Sequence, residues 1–447
     1  MFSFHKKTID IRLLLRLTLP IFLELLLQLL VGNVDKVMVG DDYSATAINQ
    51  ANTILDMLTV SLSVLSAASL ILISQYKGAQ NRQKERQIYV LSFYFNLAVS
   101  LGIGILLSVL ARPVLSAIHV QPEIMDEAVI YLRVTGGGLF LQAIMLSLSA
   151  FLRSNTYMKQ CLLVAFLFNV INISGNALFL WGFGMKGAIA VAIPSVLSRL
   201  IGALILFYEV KKYLRLDLSA HRLRHCRREE LIKILKIGLP SCGESISYSF
   251  SQIVILAIIN TFSTMEAVVK TYATMLAMCS YLFTSAVSQA MQILLGRALG
   301  AKRYEEAEEL VRWVTAVSCL ASAGMSMTIA LFSDAIFGLL TDNADVIRLC
   351  RTVMLIDVAL ELGRAVNIVM VRALQTCGDV LFPTLLAIIF CWSVAVCGSW
   401  FLGSVLGLGI IGVWAAMTAD ELCRAGIFIL RFRRGNWKNL SLVDEKN

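Results

Sequence analysis

The chain has 447 residues, 58% of them hydrophobic, a mean hydropathy of +0.76 and a net charge of +9. Soluble domains are nearer about 45–50% apolar, so repeated apolar runs read as membrane helices, and roughly 12 of them fill the length with no room for a soluble domain. The positive charge does not signal nucleic acid, because the basic residues fall in separate loops rather than on one domain face.

The first predicted span, Arg12–Val39, follows Lys6 and Lys7. It is long enough to cross a bilayer and lacks the small-residue cleavage site of a signal peptide, so it is expected to remain a span. It carries Glu24 and Asp35. A carboxylate inside a membrane helix costs at least ~2.5 kcal/mol on insertion scales, which makes each a functional-site candidate. The second span, Ala45–Tyr76, holds Asp56, which either lines a cleft or makes a polar contact. Spans three and four are Ile88–Ala111 and Asp126–Leu152; Gly136-Gly137-Gly138 in the latter permits a close contact or a bend. Spans five and six are Cys161–Phe183 and Gly187–Val210. Pro194 can kink span six, and Arg199 lacks a local partner and is expected to snorkel toward the inner face.

Lys211 to Glu230 is the longest polar interval. It predicts a basic linker (211–230) between an N-terminal lobe (1–210) and a C-terminal lobe (231–447), and its charges suit an anionic inner leaflet. Spans seven to twelve follow as Leu231–Phe262, Val268–Leu299, Val311–Phe332, Asp345–Leu374, Pro383–Leu406 and Gly409–Leu430. Basic loops alternate with acidic or neutral ones such as Asp41-Asp42, Glu123 to Glu127, and Asp342 with Asp345. That alternation predicts a multi-pass protein of the cell membrane with an even span count and both termini in the cytoplasm.

The two halves repeat. Leu19-Pro20 and Glu24 recur as Leu239-Pro240 and Glu244, an offset of 220; Gly78-Ala79 recurs as Gly300-Ala301, and Gly187 and Arg199 as Gly412 and Arg424. Such a repeat is the signature of a transporter. The chain has no HExxH, nucleophile elbow or P-loop and only four histidines, which argues against a membrane enzyme and against direct use of ATP. Its ten cysteines stand singly, mostly in apolar runs such as those of Cys279, Cys319, Cys391 and Cys397, and read as buried small apolar side chains. No metal or cofactor is expected from that spacing.

Several segments together resemble the MATE (multidrug and toxic compound extrusion) family over essentially the whole chain. They are Val34-Asp35-Lys36-Val37-Met38-Val39-Gly40, the Gly78-Ala79 and Gly300-Ala301 loops, Gly184-Met185-Lys186-Gly187-Ala188, Gly409-Ile410-Ile411-Gly412-Val413, and Ala373-Leu374-Gln375-Thr376-Cys377-Gly378-Asp379. The resemblance implies an all-α integral membrane fold of about twelve transmembrane helices in two pseudo-symmetric six-helix bundles around a central cleft. It also implies alternating-access export of small organic, cationic drugs or toxic compounds in exchange for H⁺ or Na⁺. The rival reading is a flippase for lipid-linked precursors. The family's first-span aspartate falls on Asp35, and its fifth-span Asn and Asp fall on Asn172 and Asn176, the second an amide here. Its sixth-span threonine falls on Ala192. Two altered ligands weaken the sodium reading and favour a proton.

Asp35 is therefore the first candidate for cation coupling, with Asn172 and Asn176 beside it. The candidates for substrate or secondary cation contact are Glu244, Asp357, Glu361, Arg364 and Glu24. Glu244 lies on a hydroxyl-rich segment, and Glu24 holds the equivalent place in the other half, either near the axis or as a packing anchor. Asp357, Glu361 and Arg364 share one helix face, where Glu361 is expected to pair with Arg364 and leave Asp357 the freer acid. Asp420 and Arg424 are expected to neutralise each other. The expected partners are small organic cations and membrane lipids, with no nucleic acid, and the protein is expected to be a monomer.

Overall fold

A computed structural model describes residues 11–440 and Leu442. Lys6, Lys7 and the reading that no leader is cleaved lie outside the described residues. Among the described residues every regular element is helical. The long helices are α1 (Ile11–Val39), α2 (Asp42–Gly78), α3 (Arg82–Ala117), α4 (Pro122–Gly137), α5 (Leu139–Ser154), α6 (Met158–Ala177) and α7 (Ile189–Leu214). The second half contributes α8 (Arg228–Asn260), α9 (Thr264–Gly300), α10 (Tyr304–Leu331), the short α11 (Ser333–Gly338), α12 (Ala344–Cys377), α13 (Leu381–Phe390), α14 (Cys397–Ser399) and α15 (Gly409–Arg433).

Each predicted span corresponds to one of these helices or to a broken pair. Span four is α4 and α5, bent by 42° at Gly138. The glycines serve both purposes read from the sequence. A side chain on Gly104 of α3 would lie 2.9 Å from the Gly136 carbonyl, so the helices touch there backbone to backbone. Seven helices, or eight with the bent pair, are long and apolar enough to cross a membrane by composition alone. α12 and α15 fall outside that set; they carry Asp357, Glu361 and Arg364, and Asp420, Glu421 and Arg424. Large exposed apolar side chains such as Leu15, Ile105, Leu163 and Leu320 are the surface that lipid demands.

Local chemistry sets the ends. Asp41 accepts from the Ser44 amide at 3.0 Å and starts α2, and Asn343 accepts from the amides of Asp345 and Val346 and starts α12. Gly378, at φ +93°, closes α12 in the left-handed region where a side chain is strained. Asp379 follows it and pairs with Arg431 at 2.8 Å, which accounts for part of the Ala373–Asp379 segment.

Contacts divide the chain into two compact units, Leu23–Cys242 and Gly243–Asn447 with Met1–Phe22. In α1 and α8 alike the division falls two residues beyond a proline, after Phe22 for Pro20 and after Cys242 for Pro240. The linker read at 211–230 lies wholly inside the first of these units, and so do the opening turns of α8. The physical reason is local. Glu230 is fully buried and bonds to the Tyr76 hydroxyl, Gly238 presses on Leu65, and Cys242 donates to the Ser61 carbonyl at 3.2 Å.

In the first unit α2, α3, α4, α5, α6 and α7 pack in succession around a core that includes Ile48, Ala111, Leu132 and Ala192. In the second, α12 is central and packs on α9, α10 and α15 around Ile255, Val353, Leu360 and Trp414. A π-helical turn, Leu178–Gly182, follows α6, and another, Trp400–Val405, occupies the matching place in the second half, at an offset of 222. All ten cysteines are free thiols. Cys279 and Cys397 are exposed rather than packed, because a thiol is apolar enough for a lipid-facing surface.

Candidate cation site and the charged network of the second unit

Asp35 is only 7% exposed. Its carboxylate accepts from the Asn176 amide at 2.6 Å and from the Ser195 hydroxyl at 3.0 Å. Ser195 in turn accepts from the Asn172 amide at 3.0 Å. Asn172 and Asn176 are one turn apart on α6 and so share a face. α7 reaches them because residue 175 is glycine; a Cβ there would lie 2.9 Å from the Pro194 Cβ. Tyr131, itself buried, turns its hydroxyl toward the same carboxylate, and Arg199 acts on it electrostatically.

Among the described residues no Lys, Arg or His lies within ion-pairing distance of Asp35; its hydrogen-bond donors are neutral. The amide oxygens of Asn172 and Asn176 are buried and have no hydrogen-bond partner. Buried polar atoms are nearly always partnered, so these two require a reason. Carboxylate, hydroxyl and amide oxygens together are the donor set of a hard cation.

The structure gathers Asp35, Asn172 and Asn176, and departs from the sequence reading at the sixth span. Ala192 packs in the core, and the hydroxyl that reaches Asp35 comes from Ser195, one turn later. Arg199, expected to snorkel, has a partner within the first unit. It donates to the Thr135 carbonyl at 3.5 Å, beside the α4–α5 break. Asp56 is exposed and acts on the Tyr131 hydroxyl.

Glu24 lies in the same unit but forms a buried ion pair with Arg153 at 2.5 Å. Its repeat partner Glu244 is differently placed. Half-buried on α8, Glu244 accepts from the Thr384 hydroxyl at 3.3 Å and has no basic partner within 4 Å among the described residues.

In the second unit α12 and α15 approach closely at Gly363, where a Cβ would lie 2.9 Å from the Glu421 backbone. That contact assembles a chain of alternating charge. Glu361 pairs with Arg364, Arg364 lies 3.8 Å from Glu421, Glu421 is 3.2 Å from Arg424, and Arg424 bonds Asp420 at 3.0 Å. The Asn367 side-chain amide donates a hydrogen bond to the Glu421 carboxylate at 2.5 Å. Three acids thus share two guanidinium groups. Asp357 stands apart, accepting from the Trp414 indole at 3.2 Å and from Ser326 at 3.3 Å. Lys270 rests its ammonium 5.9 Å from the Trp414 ring centroid. Sequence reasoning does not find Ser195, Tyr131, Trp414 or Asn367, because nothing in spacing marks a lone hydroxyl, amide or indole in an apolar run. Glu421, three residues before Arg424, carries a spacing signal that could have found it.

The MatE family model matches residues 20–178 and 240–401, once in each half of the chain. An uncharacterized transporter, YisQ, of Bacillus subtilis (strain 168) is 31% identical over 433 residues, 95% of this chain and 94% of its own. A probable multidrug resistance protein NorM of Thermotoga maritima is 25% identical, over 96% of this chain and 94% of its own. A crystal structure of MATE in a bent conformation matches the fold with a TM-score of 0.88 at 20% identity, covering 97% of this chain and 99% of the other. With the family model matching both halves in register with the repeat, the chain belongs to the MatE family of membrane-embedded multidrug efflux transporters.

Proposed function

We propose that this transporter exports small organic cations in exchange for an inward cation held at Asp35, with Asn172, Asn176 and Ser195 completing the site. The observation that carries the reading is a buried carboxylate that, among the described residues, has no cationic partner, beside two buried amide oxygens with no hydrogen-bond partner among those residues. A proton on Asp35 would leave at least one of those oxygens unanswered, and carboxylate, hydroxyl and amide oxygens are the donors that Na⁺ takes. On that donor set we favour Na⁺ over the proton that the sequence alone favoured. Glu244 and Asp357, neither with a basic partner within 4 Å among the described residues, supply negative charge for a cationic substrate in the second unit. The Glu361–Arg364 pair, within α12, and the Glu24–Arg153 pair, which joins α1 to α5, are each neutralised.

The alternating basic loops support a cell-membrane protein with both termini cytoplasmic, and the proposal takes it to act as a monomer and as a transporter rather than an enzyme. The test is dye efflux from proteoliposomes with Na⁺ and pH gradients imposed independently. Efflux driven by inward Na⁺ at uniform pH is expected. Efflux driven only by pH would replace Na⁺ with H⁺, and efflux indifferent to both gradients would reject exchange.

A further inference from the structure

Beyond Leu214 the polar interval is a fixed strap on the first unit. Tyr94 donates to the Leu218 carbonyl at 2.8 Å, and the Arg227 amide reaches the Gln87 side chain at 3.4 Å. Buried Glu230 then anchors the far end, with Lys84 at 3.8 Å and Lys233 at 3.5 Å. Leu214, Leu216, Leu218 and Leu223 are half-buried, while nearly all the residues between them are exposed. The strap therefore has an apolar inner side and a basic outer one.

Most of that outer charge is unanswered. Lys211, Lys212, Arg215, Arg224, Arg227 and Arg228 are all exposed, and among the described residues none has a carboxylate within 4 Å. Arg222 differs: it pairs with Asp217 at 2.6 Å and, with Ser219, holds that carboxyl below its ordinary range. Six like charges between the last turn of α7 and the first residue of α8 repel one another unless anions lie between them.

The end of α7 fixes the level at which those anions sit. Leu204 and Phe207 are exposed apolar side chains of a lipid-facing surface, and Tyr208 and Tyr213 follow, 61% and 37% exposed. Lys212 lies 5.8 and 5.1 Å from the two tyrosine rings. Exposed tyrosine beside lysine at a span end is the pattern of the headgroup layer. We propose that the strap is a binding site for anionic phospholipid headgroups, whose phosphates are held by the unpaired lysines and arginines. A soluble anion meets the same charges, but only a lipid brings its phosphate to the level of the two tyrosines and lays its chains beside Leu204 and Phe207. The proposal does not depend on which compounds are exported.

Native mass spectrometry of the full-length protein, equilibrated in detergent with equimolar phosphatidylglycerol and phosphatidylcholine, tests it. The parent is expected to retain phosphatidylglycerol preferentially, and each charge removed to cost about five-fold of that preference. Arg224→Gln, Arg227→Gln and Arg228→Gln combined should approach parity, while the same three residues changed to Lys should keep the preference. If the Gln triple is not recovered folded, Lys211→Gln with Lys212→Gln gives the same reading. No preference in the parent, or an undiminished preference in the Gln variants, overturns the proposal. So does displacement of the lipid by inorganic phosphate at constant ionic strength, which would make this a free-phosphate site.

Discussion

Asn176 gives its amide hydrogen to Asp35 at 2.6 Å while its own oxygen, buried, has no hydrogen-bond partner among the described residues. One side chain thus satisfies the carboxylate and exposes an acceptor beside it. Among the described residues Asp35 is therefore not one half of an internal salt bridge: its donors are a neutral amide and a neutral hydroxyl.

Asp35→Asn removes the charge and keeps the shape. Couplings between two ligands typically amount to about 1–3 kcal/mol, or 5–150-fold, and the whole of that stimulation by the driving ion should vanish. Insertion and melting temperature should be preserved. Efflux from vesicles with and without the gradient measures this; full gradient-driven export by the variant would remove Asp35 from the mechanism.

Ser195→Ala deletes a donor to Asp35 and strands the Asn172 amide, which has Ser195 as its acceptor. Leaving a buried polar group unpaired costs about 1–3 kcal/mol, so affinity for the driving ion should weaken roughly ten-fold or more. Ser195→Thr keeps the hydroxyl and should restore most of it. Ion titration of the purified variants decides; equal affinities in parent and alanine variant would make Ser195 a packing residue.

Arg153→Ala leaves Glu24 buried without its cation. Breaking a buried pair from one side costs about 3–5 kcal/mol, so expression and thermal stability in detergent should fall sharply. Replacing both residues by leucine should recover much of the loss. A single variant as stable as the parent but impaired in export would give this pair a transport role.

Gly363→Ala drives a methyl group into the Glu421 backbone, and Gly175→Ala drives one into Pro194. Overpacking of this kind costs about 1–3 kcal/mol. Gly426 of α15 serves as the control: a methyl group there would meet nothing within 4 Å, so alanine should be neutral or mildly stabilising. Melting curves of the three variants test the contrast; indistinguishable curves would refute the close approaches.

The sequence alone determined the helical membrane fold, the repeat, the span order and the identity of most charged residues inside the spans. Each follows from local rules: apolar run length, loop charge and spacing on one chain. It also fixed the pairs that lie within one helix, Glu361 with Arg364 and Asp420 with Arg424, because three or four residues always share a helix face. Tertiary structure decided what those rules do not reach. It chose Ser195 over Ala192, gave Glu24 the distant Arg153 and Glu244 the hydroxyl of Thr384, and bound the linker to the first unit. Those outcomes depend on which helices touch and at what depth, and such contacts are set by close packing at residues like Gly175 and Gly363 rather than by any periodicity along the chain.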